Sequence, residues 1–133
     1  MKIVGTHHVA LVTPNFDRQR EFYVERLGLP VVGAFHGRRI VFIDTGSTTI
    51  ELIEQDKAHA GAAGGWAHFA FEVADVDATY DELRNQGIAF HVVPKDFPPE
   101  APDVRIAFFK DPDGNEIELV QPLGQRYPAA EQH

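Results

Sequence analysis

From residue 3 to residue 13 the chain sets Ile3, Val4, Val9, Leu11 and Val12 among polar neighbours and stops at Pro14, a pattern that predicts a strand. A helical stripe follows, with Phe16, Phe22, Tyr23, Val24 and Leu27 spaced amid charge. Asn15 or Asp17 can cap this helix, and Gly28 stands where a C′ glycine belongs, with Pro30 just beyond. Three short β-rich runs come next, 31–35, 39–44 and 48–54, separated by the turn signals His36-Gly37 and Thr45-Gly46-Ser47. The order is β-α-β-β-β.

Residues 57–65 are rich in Ala and Gly and read as a linker, after which the order recurs. Residues 67–73 alternate as a strand. Asp75 can cap a helix that carries Val76, Tyr80 and Leu83 and ends at Gly87. Strands are predicted at 88–93, 104–109 and 116–120, and the proline-rich stretch 94–102 reads as a stiff loop. Asp111-Pro112-Asp113-Gly114 has the residues of a type I turn. His8-Val-Ala-Leu matches His68-Phe-Ala-Phe, and Thr49-Ile-Glu-Leu-Ile-Glu matches Glu116-Ile-Glu-Leu-Val-Gln. The span from His8 to Gly28 is 20 residues and that from His68 to Gly87 is 19. His8 to Glu51 is 43 and His68 to Glu118 is 50, a difference the proline-rich stretch accounts for. Four matches in one order point to an internal duplication. The chain therefore reads as one α+β domain over 1–133: a module of about 3–55, the linker, a module of about 66–122, and a tail over 123–133.

The chain's 133 residues suffice for one domain with a core of its own. Twenty acidic residues against twelve basic ones leave a net charge of −8, which argues against nucleic acid or an anionic membrane as partner. With no signal-peptide pattern and no apolar stretch near the roughly 18 residues a membrane span requires, a cytoplasmic protein is expected. The absence of cysteine excludes disulfides, thiolate metal sites and a thiol nucleophile together. Seven histidines remain as the candidates for metal or proton chemistry.

Strand alternation selects among them. His8, Ala10 and Val12 share one face of their strand, and His68, Ala70 and Glu72 share one face of theirs. Glu51 and Glu118 each stand between two apolar residues. Each module thus puts one His and one Glu on the face its large apolar residues avoid, while its helix covers the other face. The Ala two residues after each His leaves space beside it. Two imidazoles and two carboxylates suit a divalent first-row ion, and with neutral histidines the assembly carries no net charge. An octahedral ion would keep two positions for water or substrate. Surface or structural roles are expected for His7, His36, His59, His91 and His133, with His91 alternating among apolar neighbours as a core-facing candidate.

At these residues the chain resembles the vicinal oxygen chelate superfamily, which includes glyoxalase I, methylmalonyl-CoA epimerase, extradiol dioxygenases and the fosfomycin and bleomycin resistance proteins. The resemblance runs from about Ile3 to Pro122 and rests on His8-Val-Ala-Leu, Phe22-Tyr23 with Leu27-Gly28-Leu29, Ile50-Glu51-Leu52, His68-Phe-Ala-Phe and 111–119. It implies two βαβββ modules paired into a cupped mixed sheet with helices on the convex face. It also implies metal ligands at His8, Glu51, His68 and Glu118, and often a homodimer. The ligand set is most similar to that of bacterial glyoxalase I. There a divalent ion (nickel, cobalt, zinc, manganese or iron, with nickel or zinc favoured here) binds the oxygens of an enediolate. A ligand Glu moves the proton between adjacent carbons, and by this analogy Glu118 or Glu51 is the base. The implied partner is a small carbonyl or thioester substrate.

The sequence departs from that enzyme where an Arg and an Asn usually follow the two ligands of the first module by four residues. Here those positions hold Val12 and Gln55, which removes a charge-assisted contact to a glutathione carboxylate. Surface ion pairing is the role expected of Arg38, Arg39 and Arg105. An epimerase-like enzyme, an extradiol dioxygenase-like enzyme and a non-catalytic drug-sequestering binder are the alternatives.

Overall fold

The computed structural model describes residues 2–56 and 64–129; most of the 57–65 linker, with His59, and the end of the tail, with His133, lie outside the described residues. Two compact units emerge. The first runs from His8 to Ala67 and resumes at Tyr127; the second takes the residues up to His7 together with His68–Arg126.

In the first unit, the part of β1 (Ile3–Thr13) from His8 onward enters a four-stranded arrangement with β2 (Val31–Ala34), β3 (Ile40–Asp44) and β4 (Thr49–Glu54), ordered β2-β3-β4-β1. β4 runs parallel to β1 and antiparallel to β3, so the sheet is mixed. Its apolar face carries Leu11, Val41, Ile43, Ile50 and Leu52, covered by Phe16 and, more loosely, by Tyr23 and Val24. The second unit repeats the plan with β5 (Gly65–Val73) from His68 onward, β6 (Phe90–Phe97), β7 (Val104–Lys110) and β8 (Glu116–Pro122), ordered β5-β8-β7-β6. β5 and β8 are parallel, and β7 is antiparallel to both β8 and β6. Val76 and Leu83 of helix α2 (Val76–Asn85) pack on Val73, Ala107 and Leu119. The two βαβββ modules of an α+β fold are therefore present, each with its helix on its own apolar face.

Helix α2 begins and ends where its residues direct. The Asp75 carboxylate accepts the Ala78 N–H at 3.1 Å. At the other end Gly87 takes φ = 90°, and Gly87 and Ile88 donate to the carbonyls of Arg84 and Leu83. This is the double closure of a glycine-terminated helix.

The first helix departs from expectation. Helix α1 (Phe16–Arg20) widens into a π-helical stretch over Glu21–Arg26, marked by the Leu27 N–H donating to the Phe22 carbonyl five residues back. The wider turn brings Tyr23 and Val24 onto the core and leaves Phe22 and Leu27 of the apolar stripe exposed. Neither expected cap forms. Asn15 makes no side-chain cap, its own N–H donating to Thr13 Oγ1, and the Asp17 carboxylate pairs with Arg39.

β6 also runs past its expected end, through Pro94 to Phe97. The chain avoids a lost ladder bond because β6 lies at the end of the strand order, and its register against β7 shifts between Val92 and Lys95.

Candidate metal centre

Parallel pairing of β1 with β4 puts Ala10 directly opposite Glu51, and pairing of β5 with β8 puts Ala70 directly opposite Glu118. Both alanines are fully buried. With only a methyl group beside it, each carboxylate can lean across the neighbouring strand towards the histidine two residues before the alanine. His8 Nε2 lies 3.1 Å from Glu51 Oε1, and His68 Nε2 lies 3.1 Å from Glu118 Oε1. The pairs are thus equivalent in partners, atoms and distance.

The antiparallel neighbour adds a third element to each pair. Phe42 of β3 stands opposite Glu51, and Phe108 of β7 stands opposite Glu118. Phe42 meets the His8 ring edge to face at 5.6 Å, and Phe108 meets the His68 ring the same way at 5.2 Å. These contacts restrict ring rotation and shield one flank of each imidazole from water. Neither phenylalanine stands out in the strand alternation, although each precedes its Glu by nine or ten residues. That spacing is the signal that marks them.

His8, Glu51 and Glu118 are buried, and the His68 side chain is only 13% exposed. Burial of a carboxylate is costly unless a charged or hydrogen-bonding partner is close. A divalent ion meets that requirement, and the donors suit it. Two ligand atoms about 2.1 Å from one ion and at right angles stand roughly 3.0 Å apart, close to the spacing within each pair.

The remaining histidines do other work. His7 is fully buried, with Nε2 at 2.8 Å from the Arg126 carbonyl, a structural role. His36 is in a turn. His91 does not face a core: it lies on the surface, its Nε2 2.6 Å from Glu116 Oε1. The bulge in β6 between Phe90 and Val92 breaks the alternation that made it a core candidate. Glu72 shares a strand face with His68 but pairs with Arg126 at 2.5 Å. Arg39 pairs with Asp17 at 2.6 Å, and Arg105 with Asp77 and Asp96 at 2.7 and 3.0 Å, the ion pairing expected of both. Among the described residues no helix is long and apolar enough to cross a membrane.

Comparison with known proteins covers the same ground. The pattern of the glyoxalase/bleomycin resistance protein/dioxygenase superfamily matches residues 5–119. An uncharacterized Bacillus subtilis protein, YraH, is 33% identical over 86% of this chain and 96% of its own length. A probable lactoylglutathione lyase of Synechocystis is 30% identical over 86% of this chain and 92% of its own. The crystal structure of methylmalonyl-CoA epimerase from Mycobacterium tuberculosis has a TM-score of 0.76 at 24% identity, over 92% of this chain and 91% of that one, a likeness of fold. A family pattern that spans both modules agrees with the duplication in the residues and with the repeated strand pairing: the chain belongs to the glyoxalase/bleomycin resistance protein/dioxygenase superfamily.

Proposed function

We propose that this chain is a divalent-metal-dependent lyase or isomerase of the glyoxalase I kind, moving a proton between adjacent carbons of a small carbonyl or thioester substrate. The observation that carries the reading is the buried His–Glu pair found twice, at 3.1 Å each time. The ligands we propose for a divalent ion are His8, Glu51, His68 and Glu118. Two neutral imidazoles and two carboxylates balance the charge of a dication. When bound, such an ion acidifies a C–H beside a carbonyl by drawing off developing negative charge.

The protein's own part is to hold and move the proton. Glu51 or Glu118, both buried, would take it from one carbon and return it to the next. Phe42 and Phe108 keep water from the imidazole flanks. Val12 offers a substrate carboxylate no cation, which favours substrates that do not depend on that contact.

Metal analysis tests the site. Protein purified without chelator should carry about one divalent ion per chain, and His8→Ala and His68→Ala should each abolish uptake. No uptake of nickel, cobalt, zinc or manganese would refute the reading. For the reaction, methylglyoxal with glutathione, a methylmalonyl thioester and a catechol are assayed side by side. Turnover of either of the first two supports proton transfer. Catechol cleavage alone, or ligand binding that survives in metal-free His68→Ala, favours the dioxygenase or the binder instead.

A further inference from the structure

Tyr127 lies beyond β8, in the stretch that the sequence marks only as tail. Its ring packs against Phe42 at 5.1 Å, and its hydroxyl accepts a hydrogen bond from Thr49 Oγ1 at 3.4 Å. Thr49 and Glu51 point to the same side of β4, and Phe42 stands opposite Glu51 and edge-on to His8. The next residue anchors the segment, since the Pro128 carbonyl accepts the Ala34 N–H at 3.2 Å.

Gly33 makes room for it. A Cβ on Gly33 would sit 2.6 Å from the Pro128 oxygen and 2.7 Å from Tyr127 Cβ, too close for either backbone or side chain to remain. Gly33 is itself the register partner of Phe42. The contacts with Phe42, Thr49 and Gly33 therefore put the phenol on the face of the first unit's sheet that carries His8 and Glu51.

We infer that Tyr127 is a specificity-determining residue: its phenol is the wall that the substituent of a small carbonyl or thioester substrate meets on the His8–Glu51 side, and Gly33 exists to seat it there. The inference rests on the proposed role of the His8–Glu51 pair. A phenol suits the task, having a flat ring that fixes the size of the space and a hydroxyl that both donates and accepts. Hydrophobic walls discriminate substituents by roughly 10-fold or more per methylene-sized change.

The test uses the full metal-loaded chain and the glutathione hemithioacetals of methylglyoxal and phenylglyoxal. Tyr127→Ala should raise the phenylglyoxal-to-methylglyoxal ratio of kcat/KM by about 10-fold with bound metal per chain unchanged. Tyr127→Phe, which keeps the ring, should leave the ratio within about twofold of the parent. An unchanged ratio in Tyr127→Ala overturns the inference. Should the parent turn over neither compound, the glyoxalase reading fails, and the wall is tested by calorimetry with acetohydroxamate and benzohydroxamate. The same selectivity shift sustains the wall; no shift, or no binding by the parent, overturns it. Gly33→Ala gives a readout independent of metal. In the metal-free chain its Ala34 amide should exchange at least about tenfold faster as the Pro128 contact is lost, and continued protection would contradict the seating by Gly33.

Discussion

At the scale of single residues, the feature that organises each buried His–Glu pair is the alanine beside it rather than the pair itself. Ala10 and Ala70 face Glu51 and Glu118 across parallel strands, and any larger side chain would press on the carboxylate. Ala70→Val is therefore expected to fold, to lose about 1–3 kcal/mol of stability, and to bind metal at least about 10-fold more weakly, as a titration with nickel would read. The glutamates should behave differently from the alanines. Glu51→Gln and Glu118→Gln both weaken the metal site. At saturating metal the variant that has lost the base should lose about 10²- to 10⁴-fold in kcat, while the other keeps most of its turnover. His8, Glu51, His68 and Glu118 were legible in the sequence because the two modules repeat them at matched positions. Phe42 and Phe108 were not, because an aromatic residue in an alternating strand looks the same whether it faces a core or a histidine.

Among the elements, helix α2 follows its sequence closely. Its cap, its buried Val76 and Leu83 and its terminal glycine all agree with one another. Asp75→Ala should cost about 1 kcal/mol, and Leu83→Ala about 3 kcal/mol through the cavity it leaves against Val73, Ala107 and Leu119. Chemical denaturation with an unchanged m-value would check both. The first helix illustrates the opposite case. Its stripe of apolar residues is real, but the choice between α and π winding depends on how Phe16, Tyr23 and Val24 fit against the sheet. Pro94 predicts an earlier end to β6, since proline in a central strand forfeits a ladder bond. At the end of the strand order that objection loses its force.

For the whole molecule, charge sets how stability responds to pH, and the proposed metal site predicts how it responds to added ions. The Arg105 guanidinium holds the Asp77 carboxyl below its usual range by hydrogen bonding and charge, and Asn115 does the same for Asp111 through its side-chain amide and backbone N–H. A carboxyl with a lowered folded-state pKa adds stability that is fully present above its ordinary value of 3.8 and disappears as pH falls through the lowered one. The stability difference between the parent and Asp77→Asn should therefore be constant near neutrality, shrink below about pH 4 and close in stronger acid. Thermal unfolding against pH measures this. Added metal should act in the other direction. At 100 times its dissociation constant, a bound dication contributes about 2.7 kcal/mol, or a rise of roughly 10 °C in Tm for a chain of this length. His8→Ala and Glu118→Gln should lose most of that rise.

The order of residues was sufficient to determine two βαβββ modules, the ends of α2, and the four polar positions that recur between the modules. Periodicity and repetition are properties of the chain's order, so they survive without coordinates. Only the tertiary structure decided which alanine lies beside which glutamate, that Phe42 and Phe108 meet the two imidazoles, that α1 widens after Arg20, and that Tyr127 packs on Phe42. Those facts depend on register and packing between residues far apart in the chain. A strand's own alternation says which side a residue faces, but not what will be standing there.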